Sequence, residues 1–296
     1  MNKQELLNKY NTAIPVGHDG FVSLVDVMGD DADICNAARI SYGKGTTQKR
    51  DDEKLIRYLI KNYHTSPLEM AEIKFHIRLP MDIMRQLVRH RTANLNEYST
   101  RYSEAIDSYA DVMPGEWRMQ STSNKQGSSG LFIESDRKHS DAVLIAKDLS
   151  TLRRSSASAA RNAYNKALNY GIAREQARSI LPLATYTEIV WKIDLNNLFK
   201  FLRLRLDHHA QQEIREFAEA IATIVKDWVP AAWSGFEDYQ LNACSFSKQE
   251  MDWIRQALKQ TVEQLEADSD LRIRSFESVG LENKRDRIEF FQKLKG

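Results

Sequence analysis

Residues Glu72–Leu79 read EIKFHIRL, and the strict alternation of this stretch decides the fold class. In an extended strand successive side chains point to opposite faces, so Ile73, Phe75, Ile77 and Leu79 share one face. Two cations and a histidine occupy the other face. A strand with one apolar and one polar face favours an antiparallel sheet, because the strands of a parallel sheet are usually apolar on both faces.

Further predicted elements lie on both sides of this strand. Phe21–Met28 and Thr185–Ile193 also alternate and are predicted strands. We predict an α/β (α+β) fold with a largely antiparallel central sheet flanked by long helices, although strands separated by several helices would also suit a doubly wound parallel sheet. The predicted helices are Asp30–Ile40, Asp51–Tyr63, Met81–Arg91, Asp136–Tyr170, a helix between Gly171 and Pro182, the helix that follows Asp194, and Gln211–Val229.

The helix that follows Asp194 carries a charge at an unusual place. Asp194 is well placed to cap it, and Arg205 lies at the edge of its apolar stripe. A buried guanidinium needs a partner, since breaking a buried ion pair costs about 3–5 kcal/mol. The apolar stripe comprises Leu195, Leu198, Phe199, Leu202 and Leu206.

The chain is predicted to have a main domain and a tail. Residues 1–240 form the main domain, and residues 241–296 form a helical C-terminal extension that packs on the same domain or at a subunit interface. In this extension a capping box at Ser247–Glu250 precedes a helix through about Ala267, and a charged helix starts at Leu281. Met113–Gly130 is rich in small polar residues and is expected to be a surface connection or, alternatively, a mobile loop over a pocket.

Composition excludes several classes of protein. The net charge of +1 gives no overall attraction to nucleic acid or to an anionic membrane. No apolar run could span a bilayer and the amino terminus lacks a signal-peptide core, so a cytoplasmic protein without membrane or nucleic-acid partners is expected. Cys35 and Cys244 show no metal or disulfide spacing and are interpreted as small apolar residues, and no metal site is predicted. Gly43 and Gly45 lack the spacing of a phosphate loop.

The stretch Arg89–Tyr102, RHRTANLNEYSTRY, concentrates polar side chains. Gln86, Arg89 and His90 lie three and four residues apart, so they would share one face of the predicted helix. Guanidinium groups are rigid donor arrays that fit phosphate and imide oxygens. The stretch therefore predicts an anionic ligand.

The residues beyond this helix extend the same pattern. Glu97, Ser99 and Arg101 alternate, so they would point the same way in an extended segment. Two alternatives stay open on the residues alone: a solvated helix end whose cations meet the helix dipole, and a nucleic-acid surface in which arginine and tyrosine interleave.

This pattern resembles the signature of the flavin-dependent thymidylate synthases: Arg-His-Arg, seven residues, then Ser. Asn94 departs from the family, in which many members have Ser. Three further segments resemble family segments: Cys35–Ser41, His64–Met70, in which Leu68 and Met70 depart, and Arg174–Ile214. The matching positions of the signature are Arg89, His90, Arg91, Asn96, Glu97, Ser99, Arg101 and Tyr102.

The resemblance implies the reductive methylation of dUMP to dTMP. Methylenetetrahydrofolate would supply the carbon, FAD would carry the hydride, NADPH would reduce the flavin, and no cysteine would act as a nucleophile. It also implies a homotetramer with active sites shared between subunits. The rival interpretations are a nucleic-acid-binding protein that uses the Arg/Tyr-rich stretch and a flavoprotein of another reaction.

The resemblance also implies roles for individual residues. Arg205 would be catalytic by facing the uracil ring and favouring its form ionised at N3. Asp194 and Lys200 stand where the family usually has Asn, and an Asp side chain can accept but not donate hydrogen bonds. The substrate-binding set is Gln86, Arg89, Glu97, Ser99, Arg101, Arg178 and Arg205. The cofactor-binding set is Ser66, Arg89, His90, Arg91, Glu97, Asp194, Asn196, Lys200 and His209.

Overall fold

The structure is a computed structural model that describes residues 1–40, 52–122, 125, 127–135, 139–279, 281 and 284–295. The predictions for Ser41, Gly43, Gly45, Asp51 and residues 136–138 lie outside the described residues. The chain divides into two compact units, residues 1–242 and residues 243–296.

A five-stranded sheet organises the first unit. Every strand pair in it is antiparallel, so the predicted antiparallel sheet is confirmed and the doubly wound alternative is wrong. The strands of the described residues are β1 (Ile14–Val16), β2 (Gly20–Met28), β3 (Glu72–Pro80), β4 (Asn94–Glu97), β5 (Arg118–Gln120), β6 (Ser128–Leu131) and β7 (Tyr186–Asp194). Their order in the main sheet is β1-β2-β3-β7-β4, and β5 and β6 form a separate hairpin.

Strand β3 lies at the centre of this sheet between β2 and β7. Its alternate apolar side chains are buried as predicted, and Phe75 lies opposite Trp191 of β7. On the polar face, the His76 ring approaches Glu188 at 2.8 Å. The alternating sequence thus gives β3 one buried apolar face and one partly exposed polar face.

Helices enclose the apolar face of the sheet. The 31 residues of α5 make a helix about 46 Å long. The helices of the first unit are α1 (Lys3–Lys9), α2 (Asp31–Ile40), α3 (Asp52–Lys61), α4 (Met81–Leu87), α5 (His139–Asn169), α6 (Arg174–Ala177), α7 (Leu195–Arg205), α8 (Gln212–Trp228) and α9 (Pro230–Phe236).

Helix α7 packs on the sheet as its apolar stripe predicted. Asp194 caps it, because its Oδ1 accepts the backbone N–H of Asn197 at 2.9 Å. The Phe201 ring packs edge-on against Trp191 of β7 with ring centroids 5.2 Å apart. Burying one such aromatic side chain contributes about 2–3 kcal/mol. This packing fixes the position of α7 on the sheet. Arg205 is the last residue of α7, so the same packing positions Arg205.

Three local predictions are wrong. The helix predicted over Met81–Arg91 ends at Leu87, and a turn leads into β4. The alternation predicted from Glu97 to Arg101 stops after β4, because the N–H groups of residues 102 and 103 both turn back to the Ser99 carbonyl. The helix predicted between Gly171 and Pro182 is the single turn α6 followed by a 3-10 turn.

The segment predicted as a loop, Met113–Gly130, is also more ordered than expected. It contains a 3-10 turn and most of the β5–β6 hairpin. Arg118 of β5 donates to Gln212 Oε1 at 2.9 Å and to Glu213 Oε1 at 2.6 Å. These bonds fasten the hairpin to the start of α8.

The second unit is helical and has a small apolar core of its own. The capping box at Ser247–Glu250 is confirmed. The single helix predicted through Ala267 is wrong, because the chain forms two helices there and α12 follows. The helices are α10 (Lys248–Ala257), α11 (Lys259–Ala267), α12 (Ser269–Glu277) and α13 (Lys284–Lys295). The core residues are Val262, Leu265, Phe276 and Phe291.

Among the described residues, we find no helix with the length and apolar character required to cross a membrane.

Candidate active site

The C-terminal ends of α4 and α7 meet at Arg205. Its Nε donates to His90 Nε2 at 3.2 Å, and its Nη2 donates to the Gln86 carbonyl oxygen at 3.1 Å. The sequence predicted that these three residues belong to one site, and the fold brings them together although 115 positions separate His90 from Arg205.

The hydrogen bond from Arg205 determines the protonation state of His90. A guanidinium only donates, so His90 Nε2 must be unprotonated and the imidazole is neutral. Burial, and then the Arg205 charge, lower the pKa of His90 to about 4. The imidazole also packs edge-on against Phe201 with ring centroids 5.0 Å apart. His90 is therefore a neutral acceptor that orients Arg205.

Arg205 itself is a half-buried cation. Burial lowers the pKa of its guanidinium, which means that its charge is poorly solvated. Within the described part of the chain no carboxylate forms an ion pair with it, and its partners are the neutral acceptors on His90 and Gln86. Such a guanidinium favours an anionic ligand, because neutral acceptors do not compensate a desolvated charge fully.

A second cluster lies where β4 ends. Glu97 Oε1 accepts the Thr187 hydroxyl at 2.9 Å, which joins the signature to β7. Arg178 Nη1 donates to Thr100 Oγ1 at 3.2 Å, although 78 positions separate these residues. The fold thus brings Arg178 to the turn that holds Ser99 and Arg101, two other residues of the predicted substrate-binding set.

The cations of this region have few internal partners. Arg101 lies 3.6 Å from Glu175, and both side chains are more than half exposed, so this ion pair is weak. Arg89 and Arg91 are exposed, and neither takes part in an ion pair with a described residue. The surface around the signature therefore has positive charge to offer a phosphate group.

A third cluster surrounds the start of α7. Asn196 is buried and its Nδ2 donates to Glu69 Oε1 at 3.2 Å. Asp194 Oδ2 accepts the amide of Asn197 at 2.7 Å, and Lys200 Nζ lies 3.3 Å from Asn197 Oδ1. Ser66 is exposed in the loop that also carries Glu69. Asp194, Asn196 and Lys200 therefore lie near one another at the start of α7, and Ser66 lies three positions before Glu69 in the chain.

The predicted cofactor residues nevertheless fall into separate groups. Arg205 lies nine positions beyond Asn196 along α7, which is about 13 Å of helix. His209 follows α7 and is exposed, and its Nδ1 lies 2.8 Å from Asp207 Oδ1. A single chain therefore presents the predicted flavin residues at both ends of α7.

Three contacts of the site were not anticipated from the sequence. Gln211 Oε1 accepts Gln86 Nε2 at 2.6 Å, and the side chains of Thr187 and Thr100 hold Glu97 and Arg178. Neutral polar residues have no periodic or charge signal, so spacing alone could not select them. Gln211 does follow His209 and Ala210 in a segment that resembles the family.

The cysteines differ from each other. Cys35 is fully buried, and burial raises the pKa of its thiol to about 11. It is therefore not a thiolate near neutral pH, in agreement with the predicted absence of a cysteine nucleophile. Cys244 is exposed.

Comparisons with known proteins agree with this geometry. Residues 23–231 match the sequence model of a family described as "Thymidylate synthase complementing protein". The chain is 46% identical to the flavin-dependent thymidylate synthase of Ruegeria pomeroyi, over 83% of this chain and 80% of that protein. It is also 46% identical to that of Thermus thermophilus, over 82% of this chain and 84% of that protein.

A solved structure shares the fold. The UMP/dUMP methylase PolB from Streptomyces cacaoi, bound with 5-Br dUMP, matches with a TM-score of 0.63 and 29% identity. The match covers 77% of this chain and 99% of that chain. The family match ends at residue 231, so residues 243–296 lie outside it.

Proposed function

The chain belongs to the flavin-dependent thymidylate synthase family, so it is an enzyme that methylates dUMP to dTMP with FAD as cofactor, and we propose that the reaction centres on Arg205. The observation that carries this proposal is the half-buried guanidinium of Arg205, held by neutral acceptors and without a described carboxylate partner. Such a cation is suited to a pyrimidine ring that becomes negative during the reaction.

Arg205 stabilises the uracil ring in the form ionised at N3. An oriented cation in a partly dry site is worth far more than in water, and its orientation costs nothing during the reaction. His90 keeps the guanidinium in place without competing for its charge, because the imidazole is neutral at all pH values well above 4. The loss of the Arg205 charge should therefore lower turnover more than it lowers binding.

The remaining substrate residues hold dUMP for this step. Arg89 and Arg101 are exposed cations of the signature stretch, and Arg178 donates a hydrogen bond to Thr100 in the turn after β4. Guanidinium groups bind phosphate oxygens in pairs of parallel hydrogen bonds. Glu97, Ser99 and Gln86 add acceptors and donors for the sugar and base.

The residues present fit a flavin. Arg89, His90 and Arg91 follow one another just after the end of α4, and Arg89 and Arg91 have no ion pair with a described residue. When bound, FAD would supply the two-electron redox chemistry that links NADPH to the one-carbon unit, and these residues would hold it. The further flavin contacts are assigned to Ser66, Asp194, Asn196, Lys200 and His209.

Methylenetetrahydrofolate and NADPH are the proposed co-substrates. The balance is dUMP, methylenetetrahydrofolate, NADPH and one proton giving dTMP, tetrahydrofolate and NADP⁺. The C5 proton of dUMP leaves, the methylene carbon takes its place, and one hydride completes the methyl group. The protein binds and orients these partners, and we place the reaction in the cytoplasm.

We further propose a homotetramer in which neighbouring chains share each site. In a shared site, the first turn of α7 from one chain would lie beside Arg205 and His90 of another chain. The two groups of predicted flavin residues, which are about 13 Å apart along α7 in one chain, would then meet across the interface. Helix α5 supports subunit contact, because several of its large apolar side chains are more than a third exposed: Leu144, Ile145, Leu149 and Leu152. Sedimentation of the purified protein checks this, and a monomer that binds flavin would refute it.

The visible absorption spectrum, followed by anaerobic flavin reduction, tests the function. We expect a bound flavin whose reduction by NADPH responds to dUMP, together with dTMP formation when methylenetetrahydrofolate is added. Reduction that is indifferent to dUMP would favour a flavoprotein of another reaction. A colourless protein that binds RNA or DNA with steep salt dependence would favour the nucleic-acid alternative.

A further inference from the structure

Thr187 is a buried threonine whose hydroxyl contacts one side chain of the candidate site. It lies in β7, it is 3% exposed, and its hydroxyl donates to Glu97 Oε1 at 2.9 Å. Among the described residues, no other group forms a hydrogen bond with this hydroxyl. A buried hydroxyl needs a partner, whereas a valine of the same shape would need none. The contact with Glu97 therefore accounts for the hydroxyl, and packing does not.

Strand register places the Glu97 side chain on the face of the sheet that α7 covers. Glu97 lies opposite Ile189 of β7, and directly opposed residues share a face. Trp191 is two positions further along β7, so it shares this face too, and its ring packs against Phe201 of α7. Helix α7 ends at Arg205. The carboxylate and this cation therefore lie on the same side of the sheet.

Glu97 forms no ion pair with any described residue, although the site is rich in arginine. Its side chain is exposed, and a carboxylate that can move freely pairs readily with a guanidinium. The Thr187 hydroxyl opposes this pairing, because it holds Oε1 against a buried strand. No described group donates to the other oxygen, Oε2, so Oε2 can accept a hydroxyl of a ligand. The arginines of the predicted substrate-binding set are Arg89, Arg101, Arg178 and Arg205.

We propose that Thr187 is a positioning residue of the dUMP site, and that its hydroxyl holds the Glu97 carboxylate on the sheet and away from the substrate-binding arginines. The inference rests on the assignment of Glu97 to that site under the proposed function. An arginine paired with Glu97 would bind the nucleotide less well, because a carboxylate and a phosphate compete for the same N–H groups. Held in place, Glu97 accepts the sugar hydroxyl and leaves the arginines to the phosphate and the ring.

Two substitutions separate the hydroxyl from the rest of the Thr187 side chain. Thr187→Val keeps the shape and removes the donor, so Glu97 becomes free to pair with an arginine. Thr187→Ser loses a methyl group but keeps the donor, so the contact with Glu97 survives. Thr185→Val is the matched control, because Thr185 is also 3% exposed and its side chain forms no hydrogen bond with Glu97.

Calorimetric titration of the full-length protein with dUMP, in the presence of saturating FAD, tests the inference. We expect Thr187→Val to raise the dissociation constant of dUMP about tenfold, because it removes a hydrogen bond to a charged group. Thr187→Ser and Thr185→Val should stay within about threefold of the wild-type constant. The unfolding midpoint, measured on the same samples, should change little across the series.

A double-mutant cycle distinguishes positioning of Glu97 from a general effect on the fold. Glu97→Ala should weaken dUMP binding by itself. Adding Thr187→Val to Glu97→Ala should change the dissociation constant by less than about twofold, because the hydroxyl then has no carboxylate to hold. A merely structural role of Thr187 would instead make the two effects additive.

Three results would overturn the inference. They are a Thr187→Val variant that binds dUMP as the wild type does, a loss of binding that persists in the Glu97→Ala background, and a loss of binding that Thr187→Ser shares. A wild-type protein that binds flavin but no dUMP would instead refute the proposed function itself, so the two failures are distinguishable.

Discussion

At the scale of single residues, the neutrality of His90 decides what Arg205 can do. A charged imidazole could not accept the Arg205 N–H, and its charge would repel the guanidinium. A carboxylate at that position would satisfy Arg205 internally and leave nothing for a ligand. The pair therefore keeps a cation oriented but only partly compensated, which suits a site that must stabilise a negative ring.

The pH dependence of stability reports on His90. Its pKa falls from an ordinary value of 6.5 to about 4 in the folded chain. Between these values the unfolded chain binds the proton more readily, so the free energy of unfolding falls as the pH is lowered from 6.5 to 4. His90→Gln removes this effect, so its urea midpoint should decline less steeply with acid than the wild-type midpoint. Identical slopes would show that His90 titrates alike in both states.

Residue types set the limit of prediction at this scale. Arg205 was recognisable, because a charge at the edge of an apolar stripe needs a partner, whereas Arg178 was assigned only through the family resemblance. Gln211 and Thr187 were not recognisable, since neutral polar side chains are common on surfaces and their partners lie about 90 or more positions away. Only the fold reveals such contacts.

At the scale of elements, periodicity predicted the long regular segments. The strands β3 and β7 and the helix α7 bury the faces that their alternation or stripe indicated. The β5–β6 hairpin was not predicted from the sequence, because strands of three and four residues are too short to show a period of alternation. It is held by the side chain of Arg118, which bonds Glu213 95 positions away, and no local pattern encodes that bond.

The cap of α7 gives a prediction for one element. Asp194 Oδ1 accepts the Asn197 N–H, so Asp194→Ala should lower the free energy of unfolding by about 1 kcal/mol. Asp194→Asn keeps a hydrogen-bond acceptor at the N-cap, so it should lower the free energy of unfolding by only a fraction of the alanine effect. Urea unfolding of the flavin-free protein measures both. An alanine variant as stable as the wild type would remove the cap from the account.

The same position separates capping from flavin binding. Asn is the residue that the family usually has there, and it offers a donor that Asp lacks. Asp194→Asn should therefore retain flavin at least as well as the wild type.

At the scale of the whole molecule, the two units have separate apolar cores. The core of the first unit draws on residues up to Leu241, and that of the second uses Val262, Leu265, Phe276 and Phe291 with their neighbours. The sequence indicated a tail from its independent helix start signal at Ser247. The role of the tail stays a prediction, because residues 243–296 lie outside the family match.

Truncation after Asn242 follows from this separation. The first unit keeps its complete core, so the shortened chain should fold cooperatively and bind flavin and dUMP as the full chain does. Flavin absorbance and dUMP titration of the purified fragment check the expectation. A fragment that folds but loses flavin would instead assign the tail to the active site.

The proposal that Arg205 stabilises the charged pyrimidine is tested most directly by single-turnover formation of dTMP in the flavin-loaded enzyme. Arg205→Ala is compared with Arg203→Ala, a matched control that removes an exposed arginine two residues away on α7. We expect Arg205→Ala to slow dTMP formation by about 10²–10³-fold while flavin content is retained, and Arg203→Ala to remain near the wild-type rate. A flavin-loaded Arg205→Ala enzyme that forms dTMP within a few-fold of the wild-type rate would contradict the account.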